Sequence, residues 1–312
     1  MLDYLIYGKI IIDDIRLADG KVIRGVLGGG GPQAAFGARL WSDSVGFLSR
    51  SGTDIEDEHV QTLHNIDIDV NGWQRYPDIP TPRTRMSYDE NEYLQTGDSG
   101  LLTMVVSRED WLRLLAQALS LPPTYQQPKA IHLITEFFDE PMVKTALTLR
   151  EQGAIFSLEP LIDYRKWSNW NTLMALIQNV DIVTPDWPSA SGAAKSDDPK
   201  QVMKFWSKLG PRMIAVRHGY HGSYAWDRDH DQIFHIPAVP TEVIDPTGAG
   251  NSYGGGLCVG WAKSQEARIA GCYGVISAKF MVERVGPPKM SAALQREAQT
   301  LLERALSSVQ LL

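Results

Sequence analysis

Eight residues near the C-terminal end, Asp245-Pro246-Thr247-Gly248-Ala249-Gly250-Asn251-Ser252, limit what this chain can build. Proline and glycine make them a tight loop. The run that follows, Tyr253-Gly254-Gly255-Gly256-Leu257-Cys258-Val259-Gly260-Trp261, is small and apolar and reads as a glycine-rich helix. The first backbone N–H groups of a helix have no partner inside it, and they sit at the positive end of its dipole. Gly248, Ala249 and Gly250 are therefore placed to present amides to an anion, above all to a developing phosphate charge. The plainer alternative is a helix that merely starts with a turn; the length and composition of the loop weigh against it.

Other segments predict what surrounds this loop. Tyr4 to Ile12 is rich in β-branched and aromatic residues and predicts a buried strand with Asp13 and Asp14 at its carboxyl end. Ligands of open parallel sheets bind beyond such ends, so Asp13 is a candidate substrate residue, with a cap or a turn as the alternative. Gly28 to Gly31 form a glycine run, and Pro32 and Gln33 lead into a helical stretch to Leu40. Glycines before a helix let backbone approach a ligand closely, which makes Gly28, Gly29, Gly30 and Gln33 candidates on the substrate side; a flexible loop is the alternative. Residues 68–105 mix Trp73, Tyr76, Pro80, Pro82, Arg83 and Arg85 with short alternating stretches and predict a small inserted β-flap. From Ala130 the chain alternates strands (Ala130–Ile134, Ala154–Leu158, Asp181–Thr184, Met213–Val216) with helices (Pro141–Gln152, Trp167–Gln178). That rhythm predicts a doubly wound, mostly parallel α/β sheet forming a single domain over residues 1–312. His132 reads as a strand histidine, and the seven histidines show no paired spacing of the kind zinc takes.

Composition narrows the partners. With 43% hydrophobic residues among 312, the chain can bury a sizeable core without a metal or disulfide staple. A net charge of −7 argues against a nucleic-acid partner. Two cysteines, Cys258 and Cys272, cannot make a framework of bridges, so a reduced, cytoplasmic setting is the simpler expectation. No run approaches the ~18 apolar residues of a membrane span, and the N-terminus does not read as a signal peptide.

The segment Asp245–Asn251 resembles the D-x-x-G-A-G-D signature of the PfkB/ribokinase-like carbohydrate kinases, and weaker landmarks follow in the same order as in that family. Gly8 and Asp13 resemble the first strand and its substrate acid, and Gly28–Gly30 with Gln33 to Arg39 the glycine signature and its helix. Gly52-Thr53-Asp54 resembles a G-x-D turn. Arg217-His218-Gly219 through Gly222-Ser223 resembles the T-L-G-x-x-G nucleotide loop, and Ser277–Gly286 the final helix. The resemblance implies a ribokinase-like fold and transfer of the γ-phosphoryl group of ATP to a hydroxymethyl group of a sugar, nucleoside or related polyol. It implies that the Gly248–Gly250 amides form the anion hole and that Asp13 holds substrate hydroxyls. Arg217, Gly219, Gly222, Thr247 and Asp186 would border the nucleotide and its Mg2+. Asp245 would hold a monovalent cation such as K+, and the flap would close as a lid. Many members dimerise through that lid, so a homodimer is among the implied partners.

The sequence departs from the family at four places. Asn251 stands where the family has its catalytic aspartate, and an amide cannot accept the substrate proton near neutral pH. Thr184-Pro185-Asp186-Trp187-Pro188-Ser189 aligns with T-P-N-x-x-E, with Asp186 for the asparagine and Ser189 for the glutamate. Arg217 replaces a threonine, and Pro32 a substrate-binding asparagine. Three readings stay open: a kinase with an altered base, a nucleotide- or sugar-binding pseudokinase, or a different transfer at the same anion hole. If loss of the base is the only defect, Asn251→Asp is expected to raise transfer.

Overall fold

The computed structural model describes residues 1–90, 94–95 and 103–312, and for 94 and 95 the backbone alone. Strand β1 (Tyr4–Tyr7) is followed by a hairpin of β2 (Ile11–Arg16) and β3 (Val22–Gly28), then helix α1 (Gly31–Arg39). Next come β4 (Val45–Gly52), α2 (Asp57–Ile66), β5 (Asp69–Tyr76), β6 (Arg83–Tyr88), β7 (Leu94–Gln95), β8 (Thr103–Met104) and α3 (Arg108–Leu115). The alternating half runs β9 (Ala130–Thr135), α4 (Pro141–Glu151), β10 (Ile155–Pro160), α5 (Trp170–Ile177), β11 (Ile182–Val183), α6 (Trp187–Ala194), α7 (Pro199–Trp206) and β12 (Met213–Arg217). The chain closes with β13 (Ser223–Asp227), β14 (Gln232–Ile236), α8 (Ala249–Ser264), α9 (Ala267–Val282), α10 (Ala292–Ser308) and β15 (Gln310–Leu311).

Ten strands form the main sheet in the order β15-β14-β13-β12-β11-β10-β9-β1-β4-β5. Pairing is parallel from β12 through β5 and antiparallel among β12, β13, β14 and β15. Successive side chains of a strand point to opposite faces, and the sequence uses both. In β1, Tyr4 and Ile6 join the core beneath α1, α8 and α9, whereas Leu5 and Tyr7 join the core beneath α4, α5 and α7. A sheet covered on both faces needs strands that are apolar almost throughout, which is the composition of β1, β9 and β12. This is the doubly wound architecture expected. Among the described residues no helix is long and apolar enough to cross a membrane. Cys258 and Cys272 are buried free thiols.

A second sheet of five strands, in the order β3-β2-β6-β7 with β8 on β6, lies apart from the first. It corrects two expectations. The predicted strand Tyr4–Ile12 is interrupted at Gly8, and Asp13 lies inside β2 of the second sheet rather than at the end of the first strand of the main one. The cause is a close approach: a Cβ on Gly8 would overlap the backbone of Gly31, so the chain can cross the start of α1 only as glycine. The predicted flap of 68–105 is the second correction. β5 pairs with β4 at the edge of the main sheet, and the second sheet instead recruits β2 and β3 from upstream. Trp73 and Tyr76 therefore sit on the main sheet, and the Trp73 indole donates to Ser51 Oγ at 3.0 Å. Residues 91–93 and 96–102 of the expected flap lie outside the described residues. A third difference is at the C-terminus, where α9, read as the final helix, is followed by α10.

Candidate active site

The site is built where the carboxyl ends of β10, β11 and β12 face the start of α8, with the second sheet opposite. Gly248 caps α8 in the left-handed region at φ 81°, and the helix runs from Ala249. The Ala249 N–H turns back onto the Pro246 carbonyl at 3.2 Å. The amides of Gly248, Gly250 and Asn251 have no hydrogen-bond acceptor among the described residues, so the free donors are shifted from the expected trio by Ala249. These are the orphan N–H groups of a helix start, aimed outward.

Arg217 ends β12 and lies across this helix start; a Cβ on Gly250 would overlap its guanidinium. Its Nη1 donates to Glu159 Oε1 at 2.7 Å, and Asn251 Nδ2 donates to the same oxygen at 2.9 Å. Glu159 is 2% exposed at the end of β10. Burial pushes its carboxyl up, but the Arg217 charge and the neighbouring His132 outweigh it and hold the group below the usual carboxylate range. His132, on β9, places Nε2 3.7 Å from Glu159 Oε2, and its Nδ1 pairs with Ser157 Oγ at 2.9 Å. Gly254 leaves room for this group: a Cβ there would stand 2.7 Å from the imidazole.

The acids lie on the other side of the loop. Asp13 is buried, accepts a hydrogen bond from Thr84 Oγ1, lies beside the Gly29 backbone, and packs so closely on Gly28 that no larger residue fits there. Gly29 and Gly30 adopt φ of 85° and 82°, which lets the chain turn from β3 into α1 beside it. Burial, helped by the nearby Asp245, pushes the Asp13 carboxyl up to about 7. Asp245 Oδ1 accepts the Thr247 N–H at 3.0 Å, its Oδ2 is buried without a hydrogen-bond partner, and burial raises its affinity for a proton. Gln33 donates to the Leu27 carbonyl at 2.8 Å and packs on Gly248, while Gly30 lies against Asn251, where a Cβ would stand 2.9 Å from Nδ2. Tyr88, from β6, lies near Thr247, Asp13 and Asp245, and Thr247 Oγ1 is buried without a hydrogen-bond partner.

Beyond Arg217 the chain makes a tight turn through Gly219 and Gly222, both at positive φ, with the His218 N–H on the Gly222 carbonyl at 2.8 Å. The Asp186 backbone forms a bridge with that of Arg217 across the strand ends, and its side chain caps α6 by accepting the Ser189 N–H at 3.0 Å. Trp187 stacks on His218 with ring centroids 4.1 Å apart, and burial lowers His218 to about 4, leaving the ring neutral at physiological pH.

A model of the pfkB family carbohydrate kinases matches residues 1–292. The chain belongs to this family. It is 23% identical over 286 residues to a cytidine kinase of Thermococcus kodakarensis, covering 92% of this chain and 98% of that one. Its fold matches a protein assigned as ribokinase II from E. coli, in complex with ATP and Mg2+, with a TM-score of 0.77 at 18% identity, over 97% of this chain and all of that one. It also matches the nucleoside kinase of Methanocaldococcus jannaschii, an archaeal member of the ribokinase family, with a TM-score of 0.71 at 19% identity over 97% and 99% of the two chains. These relatives give no support to the pseudokinase alternative.

Against this pfkB background, the sequence-predicted residues fall into two groups facing one loop. Gly248, Gly250, Asn251, Arg217 and Asp186 gather at the start of α8. Asp13, Gly28, Gly29, Gly30, Gln33, Asp245 and Thr247 gather on the side of the second sheet. Ser189 is buried in α6 and, as an alcohol, supplies no carboxylate, and Asp54 Oδ1 accepts from the Thr81 N–H and Oγ1 in a turn. Glu159, His132, Thr84 and Tyr88 were not singled out as site residues. A signal for Glu159 was present: Ile155, Ser157 and Glu159 alternate with apolar Phe156 and Leu158, which puts a charge on one face at the carboxyl end of a buried strand.

Proposed function

We propose that this chain transfers the γ-phosphoryl group of ATP to a hydroxymethyl group of a nucleoside or sugar. The observation that carries the reading is the helix start of α8, whose free Gly248, Gly250 and Asn251 amides face the same space as the Arg217 guanidinium. Such a cradle suits a phosphate chain and stabilises charge that develops during transfer. Arg217, the 219–222 turn, Thr247 and Asp186 hold the nucleotide side. Asp13 accepts hydroxyls of the acceptor, with Gly28–Gly30 and Gln33 shaping the floor. The second sheet acts as the lid of a single unit spanning residues 1–312, and Tyr88 brings its edge to the loop when water is excluded.

Among the described residues no three His, Cys, Asp or Glu side chains gather to cage a metal. Magnesium in phosphoryl-transfer sites takes one or two carboxylates, water and phosphate oxygens, and Asp186 beside Arg217 fits that need. Bound there, Mg2+ would neutralise charge on the phosphate oxygens. The unpartnered, buried Asp245 Oδ2 fits a monovalent cation such as K+ under the loop.

Gly250→Val will push the Arg217 guanidinium off the helix start and weaken ATP binding by about tenfold or more, measured by calorimetry. Unchanged affinity in a folded variant would put the phosphates elsewhere. The reading as a whole is tested by incubating the full chain with ATP and Mg2+ over a panel of nucleosides, cytidine included, and sugars. Acceptor-dependent ADP release supports it.

A further inference from the structure

The carboxylate missing at position 251 has a counterpart one hydrogen bond away. Asparagine and aspartate are nearly isosteric, and Glu159 Oε1 lies 2.9 Å from Asn251 Nδ2. It therefore lies within a hydrogen bond's length of where an aspartate at 251 would carry its own oxygen. A carboxylate serving only as a structural ion pair would be expected to have both oxygens satisfied. Here Oε2 has no hydrogen-bond partner and faces the equally unpartnered His132 Nε2 at 3.7 Å. The other oxygen is held by Arg217, a residue that also lies against the anion-binding helix start.

Building on the phosphoryl-transfer reading above, we propose that Glu159 is the proton acceptor of the reaction. It supplies from β10 the carboxylate that Asn251 lacks, and Arg217 masks it until the phosphates of a nucleotide draw the guanidinium away. A guanidinium binds phosphate oxygens in a two-pronged fashion, so the phosphate chain competes directly with Glu159 for it. Once Arg217 turns, burial is opposed by His132 alone, and the affinity of Glu159 for a proton rises. Asn251 keeps its amide on Oε1 and fixes the direction of the carboxylate. The hydroxymethyl O–H then gives its proton to Glu159, and the freed oxygen pair forms the bond to the γ-phosphorus. The bond from that phosphorus to the β–γ bridging oxygen breaks, and its electron pair leaves on ADP.

The arrangement is an exchange of residue types between two neighbouring positions, and that exchange can be reversed. Glu159→Gln is expected to lower kcat by about 10²–10⁴-fold. Its ATP affinity by calorimetry should stay level or tighten, because Arg217 no longer has a competing carboxylate. Asn251→Asp alone sets two carboxylates side by side and should lower transfer, contrary to the expectation from sequence. The double variant Glu159→Gln/Asn251→Asp again has one carboxylate and one amide, with places exchanged, and should regain transfer to within about tenfold of wild type. A merely structural Glu159 would instead show weakened ATP binding and no rescue. The proposal is overturned if Glu159→Gln keeps kcat within about threefold of wild type. It is overturned equally by a double variant no better than Glu159→Gln, or by a rise in Asn251→Asp alone. Wild-type silence with every acceptor, with ATP still bound, overturns the transfer reading itself and the assignment of Glu159 with it.

Discussion

Replacing Asp13 with alanine will raise the KM for the acceptor by about 10²-fold or more and leave the affinity for ATP nearly unchanged. Hydrogen bonds to a charged group contribute about 1.5–3 kcal/mol each, and losing two of them amounts to at least two factors of ten. Asp13 can act in this way because the fold holds it at a cost. Its carboxyl, ordinarily at 3.8, is pushed up to about 7 by burial. Between those values the folded chain keeps a proton that the unfolded chain has released, so this group lowers stability as pH rises through that window and no further above it. Asp13→Asn removes the effect. The variant should be more stable than wild type by up to ~4 kcal/mol at pH 8, and the gap should close toward pH 4. Urea titrations at the two pH values measure it. A gap independent of pH would mean that Asp13 is not the group responsible.

Arg217→Met will destabilise the chain by about 3 kcal/mol at neutral pH and weaken ATP binding together. Glu159 is 2% exposed and its Oε1 depends on Arg217 and Asn251. Removing one partner of a buried pair leaves an uncompensated charge, which typically costs about 3–5 kcal/mol. The burial that pushes Glu159 up then acts unopposed by arginine, so acid should shrink the loss by protonating the carboxyl. Arg217→Met/Glu159→Gln should recover most of the stability at pH 7 and none of the lost ATP affinity. Recovery of both would assign Arg217 to the fold alone.

The parts of this molecule that were legible in the sequence are those whose cause is local. A Pro-Thr-Gly-Ala-Gly loop before a small-residue helix, and glycines at 28–31 before another, carry their geometry in their own backbone requirements. So does the strand–helix rhythm after Ala130. The location of Asp13 was different. Gly8 and Lys9 interrupt the apolar run of Tyr4–Ile12 and so mark a weak point, but what makes it a break is Gly31, which packs on Gly8 from a later part of the chain. The edge position of β5 is likewise set by pairing with β4 and not by its own pattern. Glu159 was visible as an odd charge on an alternating strand, but its meaning comes from Asn251, 92 positions later. Tyr88 and Thr84 gained their place only when the second sheet formed from two separated segments.

The most direct measurement is acceptor-dependent transfer by the wild-type chain, followed with γ-labelled ATP and Mg2+ across nucleosides and sugars. A labelled phosphomonoester is expected with at least one acceptor, formed in proportion to ADP and lost in Glu159→Gln. ATP bound at the α8 loop with no labelled product from any acceptor would contradict it.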